Sequence, residues 1–155
     1  MTVSSIIFVC TGNICRSPMA EGILRKRLSD AGKAEILVSS MGIQGLQEHP
    51  ADELVLQVCG ENGVDLSNHR SRALIPEELH RADLIFTMEL GQSRFLRAFF
   101  PRIEERTFLL GSWPKKESRK GEVKDPYGGT EKDFRKAYQT IDQHITRIMP
   151  LIAGN

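Results

Sequence analysis

Short apolar runs alternate with segments of helical period along most of this chain. The runs are continuous rather than interrupted by polar residues, which is typical of parallel strands buried on both faces. In the segments between them, apolar residues recur three and four positions apart, which predicts amphipathic helices. The predicted strands cover residues 6–9, 36–39, 84–88 and 107–110, and the predicted helices cover residues 17–31, 50–62, 76–81, 91–100 and 130–152.

Glycine, proline and serine mark several of the helix ends. Ser17 is a candidate N-cap for the first helix, Pro18 fits its first turn, and Gly32 follows its last turn. Gly63 ends the second helix in the same way, and Pro101 ends the fourth. These stops separate the elements into an order in which every strand is followed by a helix.

This order predicts an α/β fold, a three-layer αβα sandwich with a four-stranded parallel sheet and helices on both faces. The length of 155 residues suits one domain, residues 1–155. Ligands of such folds bind beyond the carboxyl ends of the strands. The loops at residues 10–17 and 111–129 both leave such an end, and the second is unusually long for a compact domain. Both loops are therefore candidates for function.

Composition excludes several classes of protein. With 40% hydrophobic residues the chain is not disordered, and 21 Lys and Arg against 20 Asp and Glu give no sign of a nucleic-acid partner. No apolar run approaches the roughly 18 residues of a membrane span, and the first residues lack the basic start of a signal peptide. The 3 cysteines cannot form a complete set of disulfides. We therefore expect a reduced, cytoplasmic protein that binds neither membranes nor nucleic acid.

The first strand and first helix are joined by a loop with a Cys-x5-Arg pair, Cys10 and Arg16. Gly12 and Asn13 tolerate positive φ, so the loop can curl and point its backbone N–H groups into a concavity at the helix N-terminus. Such a concavity binds an anion and favours the thiolate form of Cys10, which is the nucleophilic form. The Arg16 guanidinium can hold two phosphate oxygens. The loop is therefore predicted to bind phosphate and to attack it.

Two residues of this loop allow more than one interpretation. The Ser17 hydroxyl can donate to the sulfur, cap the helix, or do both. Cys15 is either a bystander or a partner that forms a disulfide with Cys10 under oxidation. The alternative for the whole loop is that Cys10 is a small buried residue at a strand end and that the Gly-Asn pair is only a turn.

Attack on a phosphate ester expels an alkoxide or phenoxide, so the reaction needs a proton donor. Asp125 in the long loop is the candidate, and the same carboxylate can later activate water. Pro126 restricts the backbone after it, and Tyr127 could flank a planar substrate. From periodicity alone, however, Asp-Pro followed by two glycines is equally well a turn before the last helix.

These residues resemble a known family, the low-molecular-weight protein tyrosine phosphatases. The resemblance extends over nearly the whole chain, because the segments 38–40, 69–72 and 82–85 match further landmarks of the family in the right order. Its specific part is the conjunction of two motifs at opposite ends of the chain. They read Cys10-Thr11-Gly12-Asn13-Ile14-Cys15-Arg16-Ser17 and Asp125-Pro126-Tyr127.

The resemblance implies a mechanism for the site. Cys10 would be the nucleophile, Arg16 the phosphate clamp, Asp125 the general acid and then base, and Ser17 the hydrogen-bond partner of the thiolate. The reaction would be hydrolysis of phosphotyrosine in a protein substrate through phosphocysteine, with an oxyanion held in the loop. It would need no metal and no cofactor, and we expect the protein to be a monomer.

The resemblance also implies supporting residues. Asn13 would adopt the left-handed conformation, held by a network that includes Ser40 and His69. Tyr127 would form one wall of the cleft, and Cys15 would protect the nucleophile through a disulfide. The substrate-binding residues implied in this way are Thr11, Gly12, Asn13, Ile14, Cys15, Ser17, Leu46 and Tyr127.

The sequence departs from the family pattern around the substrate. Leu46 stands where an aromatic residue often sandwiches the substrate ring, and the acid loop ends in Gly-Gly, as in a bacterial branch that includes protein-arginine phosphatases. Ile14 stands where the arginine-specific members carry Thr. Because its bulk suits a flat phenyl ring, Ile14 favours phosphotyrosine, and phosphoarginine is the alternative.

Other functions fit the residues less well. Arsenate reductases share the loop but need further cysteines; residues 87–100 contain none, and Cys59 alone is a poor relay. A phosphocarrier preserves its phosphocysteine and has no use for Arg16 or Asp125. A phosphate-binding module without turnover is the remaining alternative. The histidines share no short spacing, so a structural zinc site is not expected.

Overall fold

A computed structural model describes residues 2–45 and 47–154. The strands are β1 (Ser5–Cys10), β2 (Leu37–Gly42), β3 (Leu84–Thr87) and β4 (Thr107–Leu109). The α-helices are α1 (Arg16–Asp30), α2 (Glu53–Glu61), α3 (Pro76–Arg81), α4 (Leu90–Phe99) and α5 (Glu131–Ala153).

The four strands form one parallel sheet in the order β2-β1-β3-β4. Within it, Val9 of β1 lies opposite Met41 of β2 and Thr87 of β3, so the three carboxyl ends lie side by side. The chain builds outward in one direction from β1 to β2 and in the other from β3 to β4. The crevice between β1 and β3 is therefore the switch point at which such sheets bind ligands.

Alternate residues of β1 point to opposite faces of the sheet, and each face has its own core. Ile6 and Phe8 pack with apolar residues of α1, α2 and α5, whereas Ile7 and Val9 pack with Leu79 of α3 and Leu96 of α4. The sheet is thus covered on both sides, which confirms the predicted αβα layers. The predicted apolar face of α5 is buried and consists of Phe134, Tyr138, Ile141, Ile145, Ile148 and Ile152.

The predicted N-cap of the first helix is wrong. Helix α1 begins at Arg16, and Cys15 holds the N-cap position without a side-chain hydrogen bond. Ser17 lies inside the first turn, where its hydroxyl serves the sulfur of Cys10 instead. Helix α2 begins later than predicted because Asp52 caps it, its side chain accepting from the backbone N–H of Leu54 at 2.9 Å.

The structure adds two 3₁₀ helices that the apolar pattern does not predict, Pro101–Arg106 and Arg119–Gly121. The second interrupts the long loop that follows β4. Helix α5 begins after Thr130, which forms a capping box with Asp133. Within residues 2–45 and 47–154, no helix combines the length and the apolar character that a bilayer crossing requires.

Candidate active site

The loop between β1 and α1 encloses the sulfur of Cys10. Asn13 has a φ of 59°, and this left-handed residue turns the chain so that its own N–H donates to the Cys10 Sγ at 3.3 Å. The Ser17 Oγ lies 2.9 Å from the same sulfur. Ser17 also accepts from the Asn13 Nδ2 at 2.8 Å, so its single proton is free to point at the sulfur. Both contacts stabilise negative charge on the sulfur.

Every polar group of Asn13 is used to hold this turn, and its side chain is fully buried. Besides Ser17, the Nδ2 reaches the Ser40 Oγ at 2.9 Å, and the Oδ1 accepts from the backbone N–H of Arg72 at 3.0 Å. The backbone carbonyl lies 2.7 Å from the His69 Nε2. Because a carbonyl can only accept, this nitrogen carries the proton. The structure therefore places Ser40 and His69 around Asn13.

The Arg16 side chain is buried, with the residue only 1% exposed, and its guanidinium contacts two segments that are distant in the sequence. Its Nη1 donates to the carbonyl of Val123 at 2.9 Å and lies 3.0 Å from the Glu89 Oε2. Its Nη2 lies 3.5 Å from the Asp125 Oδ2. A buried cation needs such partners, since an unpaired one would be strongly destabilising. The contacts bring the β3–α4 junction and the long loop to the first loop.

Asp125 faces the first loop from across a pocket of about 310 Å³. Its position follows from Val123, whose N–H donates to the Met88 carbonyl at 2.9 Å while its carbonyl accepts from Arg16. The other carboxylate oxygen of Asp125 accepts from the Tyr127 N–H at 3.1 Å, which closes a local turn. The pocket is lined by Cys10, Thr11, Gly12, Ile14, Cys15, Arg16, Gln44, Asp125 and Tyr127.

The three cysteines differ in their surroundings, and all are free thiols. Burial raises the pKa of the Cys15 thiol, and the carboxylates of Asp52 and Asp125 add to this effect. Cys59 lies in the core on α2, where burial raises its pKa to about 12. Both thiols therefore stay neutral at physiological pH. A Cys10–Cys15 disulfide remains a prediction.

One expectation about the pocket walls stays a prediction. Leu46, the predicted substitute for a substrate-stacking aromatic residue, lies outside the described residues. Among the described residues, Gln44 lines the pocket, and its backbone N–H donates to the Thr11 carbonyl at 2.8 Å. No pattern in the sequence singles out this residue.

Glu89 and Gln92, at the start of α4, are further site residues that the sequence reasoning missed. The Gln92 side chain is 5% exposed, and its Nε2 reaches the Thr11 Oγ1 at 3.1 Å and the Glu89 Oε2 at 3.2 Å. Its Oε1 accepts from the backbone N–H groups of Met88 and Glu89. Gln92 thus links the loop between β1 and α1, through Thr11, to the Glu89 carboxylate that pairs with Arg16. Only the position of Glu89, just beyond the carboxyl end of β3, could have indicated it.

Together these groups form a chemically specific arrangement. A sulfur that accepts two hydrogen bonds lies at the base of the pocket, with a guanidinium beside it and a carboxyl group across from it. Such a set can bind a tetrahedral oxyanion, attack it and exchange a proton with it. Among residues 2–45 and 47–154, no three His, Cys, Asp or Glu side chains cluster so as to hold a metal ion.

Comparisons with known proteins agree with this arrangement. A family model described as low molecular weight phosphotyrosine protein phosphatase matches residues 5–154. The chain is 37% identical over 140 residues to the low molecular weight protein-tyrosine-phosphatase Etp of Escherichia coli K12, covering 90% of this chain and 88% of that protein. One similar solved structure is Vibrio vulnificus Wzb in complex with benzylphosphonate, at 33% identity and a TM-score of 0.86, covering 97% of this chain and 99% of that one. Another is the YwlE arginine phosphatase of Geobacillus stearothermophilus, at 30% identity and a TM-score of 0.83, covering 93% of this chain and 89% of that one.

The link through Gln92 gives a testable prediction. Gln92→Ala removes the bonds to Thr11 and Glu89, so the Glu89 carboxylate is no longer oriented toward Arg16. We expect the affinity for inorganic phosphate to fall about tenfold, as for the loss of one or two hydrogen bonds. Isothermal titration calorimetry measures this without turnover. Gln57→Ala is the control, because this exposed glutamine of α2 bonds to Glu61 and Glu131 and to no residue of the pocket. Unchanged phosphate affinity in Gln92→Ala would contradict the link.

Proposed function

The chain belongs to the low-molecular-weight phosphotyrosine protein phosphatases, and from that premise we propose that it hydrolyses phosphotyrosine in proteins through a phosphocysteine on Cys10. The observation that carries the proposal is the pair of hydrogen bonds on the Cys10 sulfur, at the base of a pocket that Arg16 and Asp125 also line. Hydrogen bonds to a sulfur favour its thiolate, which is the attacking form.

In the first step the phosphate group lies in the cradle of backbone N–H groups and meets Arg16. Because the Nη1 of Arg16 is committed to Val123 and Glu89, and the Nη2 meets Asp125 only at 3.5 Å, the guanidinium offers its Nε and Nη2 to the phosphate oxygens. The Cys10 sulfur forms a bond to phosphorus as the bond to the tyrosine oxygen breaks. Asp125 gives its proton to that oxygen, so that neutral tyrosine leaves.

The second step releases the phosphate. The Asp125 carboxylate takes a proton from a water molecule, whose oxygen attacks phosphorus as the sulfur–phosphorus bond breaks. The electron pair of that bond returns to the Cys10 sulfur, where the Ser17 hydroxyl and the Asn13 N–H stabilise it. Asp125 ends the cycle protonated, and inorganic phosphate leaves the pocket.

The pocket walls support tyrosine as the substrate side chain. Ile14 is apolar and lines the pocket, and Tyr127 stands at its rim with 65% exposure. These side chains can contact a phenyl ring from different directions. Phosphoarginine is the second candidate, since the YwlE arginine phosphatase shares this fold at 30% identity. The aliphatic Ile14 offers no hydrogen bond to a guanidinium, which favours tyrosine.

We further propose that the enzyme acts as a monomer of one domain in the cytoplasm. The free state of Cys10, Cys15 and Cys59 supports a reducing compartment. A thiolate nucleophile also needs such a compartment to stay active.

The role of Asp125 can be tested with leaving groups of different basicity. Asp125→Ala should slow hydrolysis of phenyl phosphate, whose leaving group needs a proton, by about 10²- to 10⁴-fold. It should slow hydrolysis of p-nitrophenyl phosphate much less, because nitrophenolate leaves without one. Asp65→Ala is the control, because this exposed aspartate bonds to the backbone N–H and the hydroxyl of Ser67 and does not line the pocket. Equal slowing of both esters in single-turnover kinetics would exclude Asp125 as the acid.

The choice between tyrosine and arginine rests on Ile14 and is tested directly. We expect wild type to hydrolyse a phosphotyrosine peptide faster than a matched phosphoarginine peptide, and Ile14→Thr to narrow the ratio of kcat/KM. One side chain in a pocket changes such a ratio by about 10- to 200-fold. Phosphate release measured for both peptides gives the ratio. A wild-type preference for phosphoarginine would overturn the assignment.

A further inference from the structure

Residues 111–121 form a closed loop on the surface, here called the basic loop. Its ends touch, because the backbone of Gly121 occupies the place that a Cβ on Gly111 would need. Within it, the Lys115 N–H donates to the Ser112 carbonyl at 2.9 Å. The loop follows β4 and ends in the Arg119–Gly121 3₁₀ helix. Four basic residues, Lys115, Lys116, Arg119 and Lys120, lie on this short loop, and all are exposed.

The positive charge of the basic loop is not neutralised within the described residues. The only acid in the loop, Glu117, is committed to Arg97 of α4, with 2.6 Å between its Oε1 and the Arg97 Nη2. Its Oε1 also accepts from the Leu109 N–H at 3.1 Å, and the hydrogen bond from Arg97 lowers the pKa of the carboxyl group. The four basic side chains of the loop form no ion pair in residues 2–45 and 47–154.

This charge is a local departure from the rest of the chain. The four basic residues and one acid of the loop give it a formal charge of +3, whereas the whole chain carries +1. Exposed Arg94 of α4 lies close enough to Glu117 to lower the pKa of its carboxyl group, so Arg94 adds positive charge to the same surface. Exposed charges act within about 8–10 Å at physiological salt, so the basic loop attracts anions mainly in its own neighbourhood.

The basic loop leads directly into the segment that contributes to the active site. Lys120 lies three residues before Val123, whose carbonyl accepts a hydrogen bond from Arg16. The Cα atoms of Lys120 and Val123 are therefore at most about 11 Å apart. Lys120 precedes Asp125 by five residues, or at most about 18 Å. Glu122, between them, accepts from the Leu90 N–H at 2.9 Å and fixes the end of the loop to α4. An extended peptide with its phosphate in the pocket reaches the basic loop within about five residues.

We propose that the basic loop binds acidic residues of the substrate, within about five residues of the phosphotyrosine. This inference rests on the proposed function, because it concerns how that function selects its phosphoprotein. Nucleic acid and anionic membranes also bind basic surfaces, but only a phosphoprotein substrate would contact the pocket and the basic loop at the same time. Charges at the rim of a binding site chiefly raise the rate of association. The acidic residues should therefore lower KM, and this decrease should disappear at high salt.

The test compares two phosphotyrosine peptides, one with Asp and Glu flanking the phosphotyrosine and one with Asn and Gln at the same positions. Wild type should show about tenfold higher kcat/KM for the acidic peptide at low salt. The variant with Lys115→Gln, Lys116→Gln, Arg119→Gln and Lys120→Gln should lose this preference and keep its rate on p-nitrophenyl phosphate. The variant with Lys26→Gln and Lys33→Gln, which removes two positive charges at the far end of α1 from the pocket, is the control for a loss of surface charge elsewhere.

A binding measurement separates this proposal from the catalytic one. Fluorescence anisotropy with the same peptides and a Cys10→Ser variant reports affinity without turnover, so an inactive enzyme would sink the proposed function alone. Equal affinity for the two peptides at low salt, or a preference that survives neutralisation of the loop, would overturn the proposal. Loop-dependent binding of an unrelated oligonucleotide or of phosphatidylserine vesicles, without any peptide preference, would also overturn it.

Discussion

The left-handed turn at Asn13 is the constraint on which the site depends. Asn is one of the few non-glycine residues that adopt positive φ, and here Ser17, Ser40, His69 and the Arg72 backbone fix this conformation through the polar groups of Asn13. These partners come from α1, from β2 and from the segment before α3, so the folded sheet must be in place before the turn is stable. In return, the turn aims a backbone N–H at the sulfur, just before the start of α1.

A second constraint is the burial of Arg16. Its guanidinium meets Val123 and Glu89, which follow β4 and β3 in the chain, while the residue itself follows β1. Parallel strands deliver these three segments to one edge of the sheet, and the cation binds them together there. The carboxyl group of Asp125 lies two residues beyond Val123, so the acid is placed by the same contact that satisfies the arginine. Fold and chemistry therefore share one set of hydrogen bonds.

The sequence predicts the layers and the two motifs because both depend on local patterns. Continuous apolar runs fix the strands, and the rule that parallel strands end at one edge predicts that Cys10 and Asp125 meet although 115 positions separate them. Side-chain partners are another matter. Serine is a common N-cap residue, but the Ser17 hydroxyl contacts the Cys10 sulfur instead. Gln92 is an ordinary helical residue in the sequence, and only the tertiary structure brings its side chain to Thr11.

The account stands or falls on whether Cys10 carries the phosphoryl group during turnover. The direct measurement is acid quenching of the enzyme in its steady state with a good substrate, followed by mass spectrometry of the peptide that contains Cys10. We predict the mass of one added phosphoryl group on Cys10 and none in the Cys10→Ala variant incubated in the same way, which should also lack turnover. A phosphoryl group on another residue, or turnover by that variant at a rate near wild type, would contradict the account.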